Sequence, residues 1–395
     1  MRPIVEAKCG WCHEAGGIAP FPLTAYTDVV ALRDAVRDAV VNRRMPPWLP
    51  AQCCNAYIDD FSLTDQERAT LVRWLDTGTE EGRPEDYVPP PARAGGLSRV
   101  DVRVEMEEPY TPKPLPGRVD DFRCFVLDWP LEEEVYVTGL NPVPGNRAIV
   151  HHLIVGYVTG ADAQDAVGLD AATPEPGIPC EGGFGEIKGV KIIGGSLLGG
   201  DMPRGIGHRI EPGSAKIILN IHYSLAKTGA ATDQTAVEFR LDDSAREART
   251  LPVGNPAWFV GEAFLIEAGN RDKTYRYQFH PTLWTAKGPF EVEAVTPHMH
   301  YLGTKILVGI VHSDGRNECL LEIPRWDFGW EQPYWLTEPV TFGTNDQIYI
   351  ECHFDNSPAN QPVVGGKPQP PRDVAWGSDN QDMCAAFVTF TRRED

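Results

Sequence analysis

The sequence predicts a mainly β protein, with two antiparallel β-sandwiches behind a small α-helical domain. Three observations carry that expectation. Glycine (38) and proline (35) are frequent, and short Val/Ile/Thr/Phe runs bounded by Gly, Pro, Asn or Asp recur along most of the chain. Residues 1–87 differ, carrying apolar residues at spacings of three and four. A length of 395 residues exceeds what one compact core holds and fits two or three domains.

The first helix is expected in "TDVVALRDAVRDAVVNRR", where Val29, Leu32, Val36 and Val40 form an apolar stripe and Thr27 stands as N-cap. A second lies in "LTDQERATLVRWLDTG". There Thr64 and Glu67 make a capping box, Leu71, Trp74 and Leu75 an apolar face, and Gly78 a stop. Together these define a helical domain over 1–87, and the Pro-then-Gly stretch over 88–97 reads as a linker. The first sandwich is expected over 98–250 and the second over 251–395, because "DDSAREARTLPVGNPA" (242–257) breaks the strand pattern. In "SAKIILNIHYSL" the alternation puts Ile218, Asn220 and His222 on one face and Ile217, Leu219, Ile221 and Tyr223 on the other. "PFEVEAVTPHMHYLG" and "NDQIYIECHFDN" alternate similarly, and "HSDGRN" (312–317) is a turn between strands.

A net charge of −20 argues against nucleic acid or an anionic membrane as partner, since both demand basic patches. No apolar run reaches the length of a membrane span. Nine cysteines are many for a reducing cytosol and point to a periplasmic or secreted protein, with a connectivity that spacing does not reveal. The start "MRPIVEAKCG" lacks an apolar signal region, so the expectation is a mature or trimmed exported form.

The strongest local motif is "CGWCH". Cys9 and Cys12 have the spacing that forms thioethers to haem vinyl groups, and His13 is placed as the proximal iron ligand. Met45, in "RRMPPW", is the candidate second axial ligand, a choice that raises a haem potential. Farther on, "IVHHLIVGYV" sets His151 beside His152 in an apolar strand. Successive side chains on a regular strand point to opposite faces, so a shared task for both rings requires a bulge or strand end. The alternative is one core histidine and one exposed neighbour. In "TPHMHYLG", His298 and His300 share a strand face while Met299 points away. "NIHYSL" adds His222, and "DNQDMCAAF" sets Met383 beside Cys384.

With these residues in place, "AIVHHLIVGY", "GGDMPRGIG", "ILNIHYSL", "VTPHMHYLGTKI", "ECHFDN" and "DNQDMCAAF" together resemble the copper type II, ascorbate-dependent monooxygenases over about residues 100–393. The resemblance implies two jelly-roll-like sandwiches and two copper ions. His151, His152 and His222 would hold one copper, and His298, His300 and Met383 the catalytic one. A thioether favours Cu(I), whereas a three-imidazole site suits an electron donor. It also implies a Cys352–Cys384 disulfide. Cys124 matches a family cysteine without a matching partner after His222, so its pairing stays open, as does that of Cys53, Cys54, Cys180 and Cys319. His208, His280, His312 and His353 match no ligand position.

Residues 1–80 are similar to the cytochrome c-like modules of some bacterial members, which implies haem c held by Cys9, Cys12, His13 and Met45. The implied activity is hydroxylation of a C–H bond in a small-molecule or peptide-like substrate, using O2 and an electron donor such as ascorbate. Where peptide-amidating members carry arginine and tyrosine, this chain has Thr296 and Phe387, and a neutral hydroxyl does not replace a guanidinium for binding carboxylate. The competing reading is a non-catalytic haem/copper electron-transfer or copper-holding protein.

Overall fold

Apolar alternation over most of the chain is realised as sheets, and helical spacing near the start as four helices. The structure is a computed structural model. It describes residues 1–10, 12–15, 19–90, 96–115, 119–180, 183–196, 199–225, 229, 231–259, 263–281, 289–364, 367–377 and 381–393, so much of the expected linker, 91–95, lies outside the described residues. The chain divides into two compact units, one of residues 1–49 and 59–95, the other of 50–58 and 96–395.

The smaller unit contains α1 (Arg2–Lys8), α2 (Tyr26–Ala31), α3 (Arg33–Val41) and α4 (Asp65–Asp76). Thr64 caps α4 as expected, its side chain accepting from Glu67 N while Glu67 accepts from Thr64 N. Gly78 follows at φ +106°, the left-handed conformation that ends a helix cheaply. The single helix expected from Thr27 is corrected in two respects. Asp28 accepts from Ala25 N, so the helix begins at Tyr26, and Leu32 (φ −107°, ψ 16°) divides it. Val29, Val40, Leu71 and Leu75 form one buried cluster with Val5 of α1, a helix the sequence reading missed, and Leu32, Val36 and Trp74 pack against it.

In the larger unit a five-stranded sheet runs in the order Ile178–Pro179, Asp120–Asp128, Lys216–Ser224, Val150–Val158, Lys191–Gly195. Its inner face is the expected one. Ile217, Leu219, Ile221 and Tyr223 join Val137, Val237 and Phe239 of a second sheet in one core. The outer face carries Ile218 under helix Gly160–Ala172, then Asn220, then His222. Cys124–Cys180 settles one open pairing, and Asn220 explains itself there by donating to Cys180 Sγ (3.3 Å) and to Gly183 O.

The second sheet has nine strands, and its main path is Val102–Glu105, Ala236–Asp242, Val135–Val143, Ile206–Ile210, Arg246–Val253, Ala385–Arg392, Phe290–His298, Tyr334–Phe342. Its first half backs the five-stranded sheet. Its second half is joined by the Cys352–Cys384 disulfide to a four-stranded sheet ordered Lys273–Phe279, Gln347–Phe354, Gly303–Val311, Asn317–Ile323. The turn at 312–317 connects the last two strands as expected, with Gly315 at φ +87°.

The expected break at 242–257 is corrected, because Arg246–Val253 is a strand at the centre of the sheet. It runs parallel to Ile206–Ile210 and antiparallel to Ala385–Arg392. Its charges hide the alternation: Ala248 and Val253 are buried, whereas Arg246 pairs with Glu291 and Arg249 with Glu247.

Residues 50–58 also depart from the sequence reading, which set them in the helical domain. They close the open side of the second sandwich. Ala51 N donates to Glu322 O (2.8 Å), Ile58 N to Trp335 O (2.8 Å) and Thr337 N to Ala56 O (2.9 Å), so the segment satisfies one edge strand of each sheet. A Cys54–Cys319 disulfide fastens it. The physical reason is hydrogen-bond demand at two unpaired edges, which local sequence does not express.

Glu293 is the extra residue of a register shift between Val292 and Ala294, and it is fully buried. Arg204 Nε donates to it at 3.0 Å, Arg246 lies 3.5 Å away, and Arg204 also donates to Leu336 O. Removing Arg204 leaves a buried carboxylate with Arg246 at 3.5 Å and the Thr391 hydroxyl, which donates to Oε1 at 2.9 Å. We expect Arg204→Met to cost about 3 kcal/mol in chemical denaturation, with part recovered in the Arg204→Met/Glu293→Met double variant. An unchanged midpoint in the single variant would show that the pair contributes nothing.

Candidate metal centre

Two adjacent histidines need a distorted strand to share a face, and the distortion is present. In the pairing of Val150–Val158 with Lys216–Ser224, Val150 faces Tyr223 and His152 faces His222, so His151 is the extra residue of a β-bulge. The inward alternation resumes at Leu153 opposite Ile221. The rings of His151 and His152 each lie 4.8 Å from that of His222, and one ligand nitrogen from each residue falls within 4.8 Å of the others.

The hydrogen bonds orient these rings. His222 Nε2 lies 3.1 Å from Asp120 Oδ1, with Phe122 stacked on the ring at 4.2 Å. A carboxylate at Nε2 makes that nitrogen the donor and leaves Nδ1 with the lone pair. His222 Nδ1 is buried and has no hydrogen-bond partner among the described residues. His151 Nδ1 and His152 Nδ1 stand 3.1 Å apart. Burial and the neighbouring imidazoles push His152 well below its ordinary value, keeping it neutral as a metal ligand must be. Burial would raise the Asp120 carboxyl, but hydrogen bonds from His222, Ser224 and Tyr301 outweigh it and hold it low.

The second set is built at the end of Phe290–His298. The strand stops at His298, so His300 is in the turn beyond it and not, as expected, on the same strand. Asp382 causes this. Its carboxylate accepts from His300 N (2.8 Å), Leu302 N (2.9 Å) and Met383 N (2.8 Å), fixing the turn against the Met383 segment. Burial pushes that carboxyl up to about 7 against these three donors. Ala385 pairs with His298, and the Cys352–Cys384 disulfide holds the residue beside buried Met383. Met299 points into the core, as expected.

His300 Nδ1 donates to Gln381 O (3.1 Å), which leaves the lone pair on Nε2, 3.2 Å from His298 Nε2. Burial and His298 push His300 down to about 3. His298 Nδ1 is 2.9 Å from Glu331 Oε1, and that carboxylate holds His298 above its ordinary value against the effect of burial. With Nδ1 of each ring turned to an oxygen, the two Nε2 atoms face each other and are the ligand atoms these rings offer. The three-histidine cluster therefore fits a metal, and His298 with His300 presents two facing nitrogens that would serve a second one. His208 is buried on its strand, His280 lies beside Thr344 O, His312 sits between Glu318 and Asp346, and His353 beside Glu351.

Sequence reading missed four residues around these sets. Phe328 has its ring 5.7 Å from His151, 5.7 Å from His222 and 5.5 Å from His300. Tyr301 OH donates to Asp120 Oδ2 (3.1 Å), and Glu331 Oε2 lies 3.6 Å from His152 Nε2. Tyr301 lies within the "TPHMHYLG" motif but the motif itself assigns it no role, Asp120 carries no motif, and Phe328 and Glu331 belong to a loop without periodicity.

In the smaller unit, α1 delivers Cys9 and Cys12, and neither forms a disulfide. Burial, then Cys12, pushes the Cys9 thiol up to about 12. His13 is buried and its Nδ1 donates to Phe21 O (2.9 Å), leaving Nε2 as the ligand atom. The two thiols and His13 Nε2 are the groups that the expected haem attachment would use. Met45 is 41% exposed.

Asp120→Asn should weaken Cu(II) binding by the three-histidine cluster about 10–100-fold, measured by competition with a chelator of known affinity. Unchanged affinity would show that the carboxylate does not support His222.

Residues 284–394 match the family model described as copper type II ascorbate-dependent monooxygenase, C-terminal domain. Among solved structures, the chain is similar to the VP2 subviral particle of infectious bursal disease virus, at 10% identity over 76% of this chain and 74% of that one, with a TM-score of 0.18. It is similar also to a two-domain protein of unknown function from Bacteroides fragilis, at 10% identity over 70% and 85%, with a TM-score of 0.14. Scores this low carry no inference about fold or activity.

Proposed function

We propose that this chain, whose residues 284–394 belong to the copper type II ascorbate-dependent monooxygenases, hydroxylates a substrate C–H bond with O2 at two mononuclear copper sites. The copper-dependent family supplies the reaction class. The observation that supports its extension to this chain is the convergence of ring nitrogens within each histidine set. His151, His152 and His222 would hold one copper, and His298, His300 and Met383 the other. Copper, when bound, supplies one-electron chemistry for O2 activation, with an all-imidazole set suited to donating electrons and a thioether favouring Cu(I). Overall, O2, two electrons and two protons convert R–H to R–OH and water.

The chain's own contribution is orientation. Asp120 and the Gln381 carbonyl fix which nitrogen of His222 and of His300 carries the proton, and Phe328 supplies an apolar wall beside both sets. Thr296 and Phe387 are direct cross-strand partners two residues from His298 and Ala385, and neither binds a carboxylate as an arginine would. A neutral or apolar substrate suits that surface better than the C-terminus of a peptide. Three disulfides support an oxidising, extracytoplasmic location. Among the described residues no helix is long and apolar enough to cross a membrane.

The test is copper counting beside O2 uptake with ascorbate. The native chain should bind two coppers, and His222→Ala and Met383→Ala should each lose one and abolish O2-dependent product. Neutral apolar substrates should outpace a glycine-extended peptide. Two coppers without any O2-dependent product would favour the copper-holding alternative.

For the smaller unit we propose haem c joined through Cys9 and Cys12, with His13 proximal and Met45 as second axial ligand. The supporting observation is the His13–Phe21 hydrogen bond together with the two thiols. An attached haem would supply an electron carrier within the same chain. Protein exported in a host that matures c-type cytochromes should give a haemochrome spectrum, lost in Cys9→Ala/Cys12→Ala and altered in Met45→Ala. Absence of covalent haem would make this unit a docking or structural module.

A further inference from the structure

Glu331 comes from the loop between strands Asn317–Ile323 and Tyr334–Phe342, and its side chain is 8% exposed. Its two oxygens are directed to different histidine sets. Oε1 is 2.9 Å from His298 Nδ1 and Oε2 is 3.6 Å from His152 Nε2. The Oε1 contact is at ion-pair distance but off the direction a hydrogen bond requires, so this buried oxygen has no aligned donor. In both histidines the nitrogen facing Glu331 is the one turned away from the neighbouring imidazoles, since His152 Nδ1 faces His151 Nδ1 and His298 Nε2 faces His300 Nε2. A buried carboxylate in this position is not a surface ion pair. Among the described residues, the two imidazoles of His298 and His152 are the donors within reach of its oxygens.

We propose that Glu331 is a positioning residue shared by both metal sites, one oxygen facing the outer nitrogen of His298 at 2.9 Å and the other that of His152 at 3.6 Å, and that it accepts from both once the rings turn to hold metal. This rests on the copper reading given above. A carboxylate behind a ligating histidine fixes its tautomer and ring orientation and raises its basicity as a ligand. Here one carboxylate does so for two sites. Asp120 has the converse arrangement, binding His222 of one set and Tyr301, the neighbour of His300, with its other oxygen. The two sites are thus cross-linked by two carboxylates, one from each sandwich, and Glu331 is the one that touches a ligand histidine of both.

The two substitutions differ in a way that identifies this role. Glu331→Ala removes both acceptors. Glu331→Gln keeps one acceptor oxygen, but its NH2 group meets the N–H of the other imidazole, so only one histidine retains a partner. The full chain, loaded with copper, is titrated against chelators of graded affinity, and the Cu(II) electron paramagnetic resonance spectrum of each site is recorded. Native protein should bind two coppers. Glu331→Ala should weaken both sites about 10–100-fold and shift both spectra. Glu331→Gln should spare one site and weaken the other. Two coppers bound by Glu331→Ala with native affinity and native spectra, or an effect of Glu331→Ala on one site alone, would overturn the proposal while leaving the copper reading intact. Native protein that binds no copper overturns both. The isosteric Glu331→Gln variant, with a native thermal melt, keeps the test decisive if Glu331→Ala fails to fold.

Discussion

The placement of both histidine sets depends on one sheet that runs from the first sandwich into the second. Its continuity rests on a short parallel pairing, Ile206 with Arg246 and Gly207 with Glu247, reinforced where Arg204 reaches buried Glu293 on a strand of the second sandwich. Two sandwiches joined by a flexible connection would let their ends move independently. A shared ladder does not, so residues from each half come close enough for Phe328 to lie beside His151, His222 and His300 together.

Within that frame, one extra residue creates the first set. A regular strand would send His151 to the core side, where Val150, Leu153 and Val155 pack. The bulge places it outward beside His152 and directly across from the His222 region, while the inner face keeps its register on both sides. The disruption is local, and the surrounding ladder and apolar core hold it. The second set is made differently, by a carboxylate. Asp382 collects three backbone N–H groups and so ties the turn after His298 to the segment before Ala385.

Polar groups that look out of place in the sequence thus have specific tasks in the fold. Asn220 anchors the Cys180–Gly183 loop, Glu293 holds two arginines, and Asp120 and Glu331 reach across from one set to the other. Asn220 and Glu293 are buried with partners, as desolvation requires, and Asp120 is partly buried between His222 and Tyr301. Their partners are distant in sequence, which is why no window of residues announces them.

The sequence by itself determined what repeats locally. The 3.6-residue stripe and the Thr64–Glu67 box specify α4, period-two alternation specifies the inner face of Lys216–Ser224, and side-chain alternation means that His151 and His152 share a task only at a bulge or strand end. The six histidine and methionine positions were legible only as motifs in order. Tertiary structure alone decided which edges residues 50–58 close, that Arg246–Val253 is a central strand, that Cys124 pairs with Cys180 and Cys54 with Cys319, and that Glu331 and Asp120 stand behind the histidines. The reason is one of range. Periodicity and capping act between residues a few positions apart, whereas an unpaired edge, a thiol or a buried carboxylate is satisfied by whatever the completed sheets bring to it.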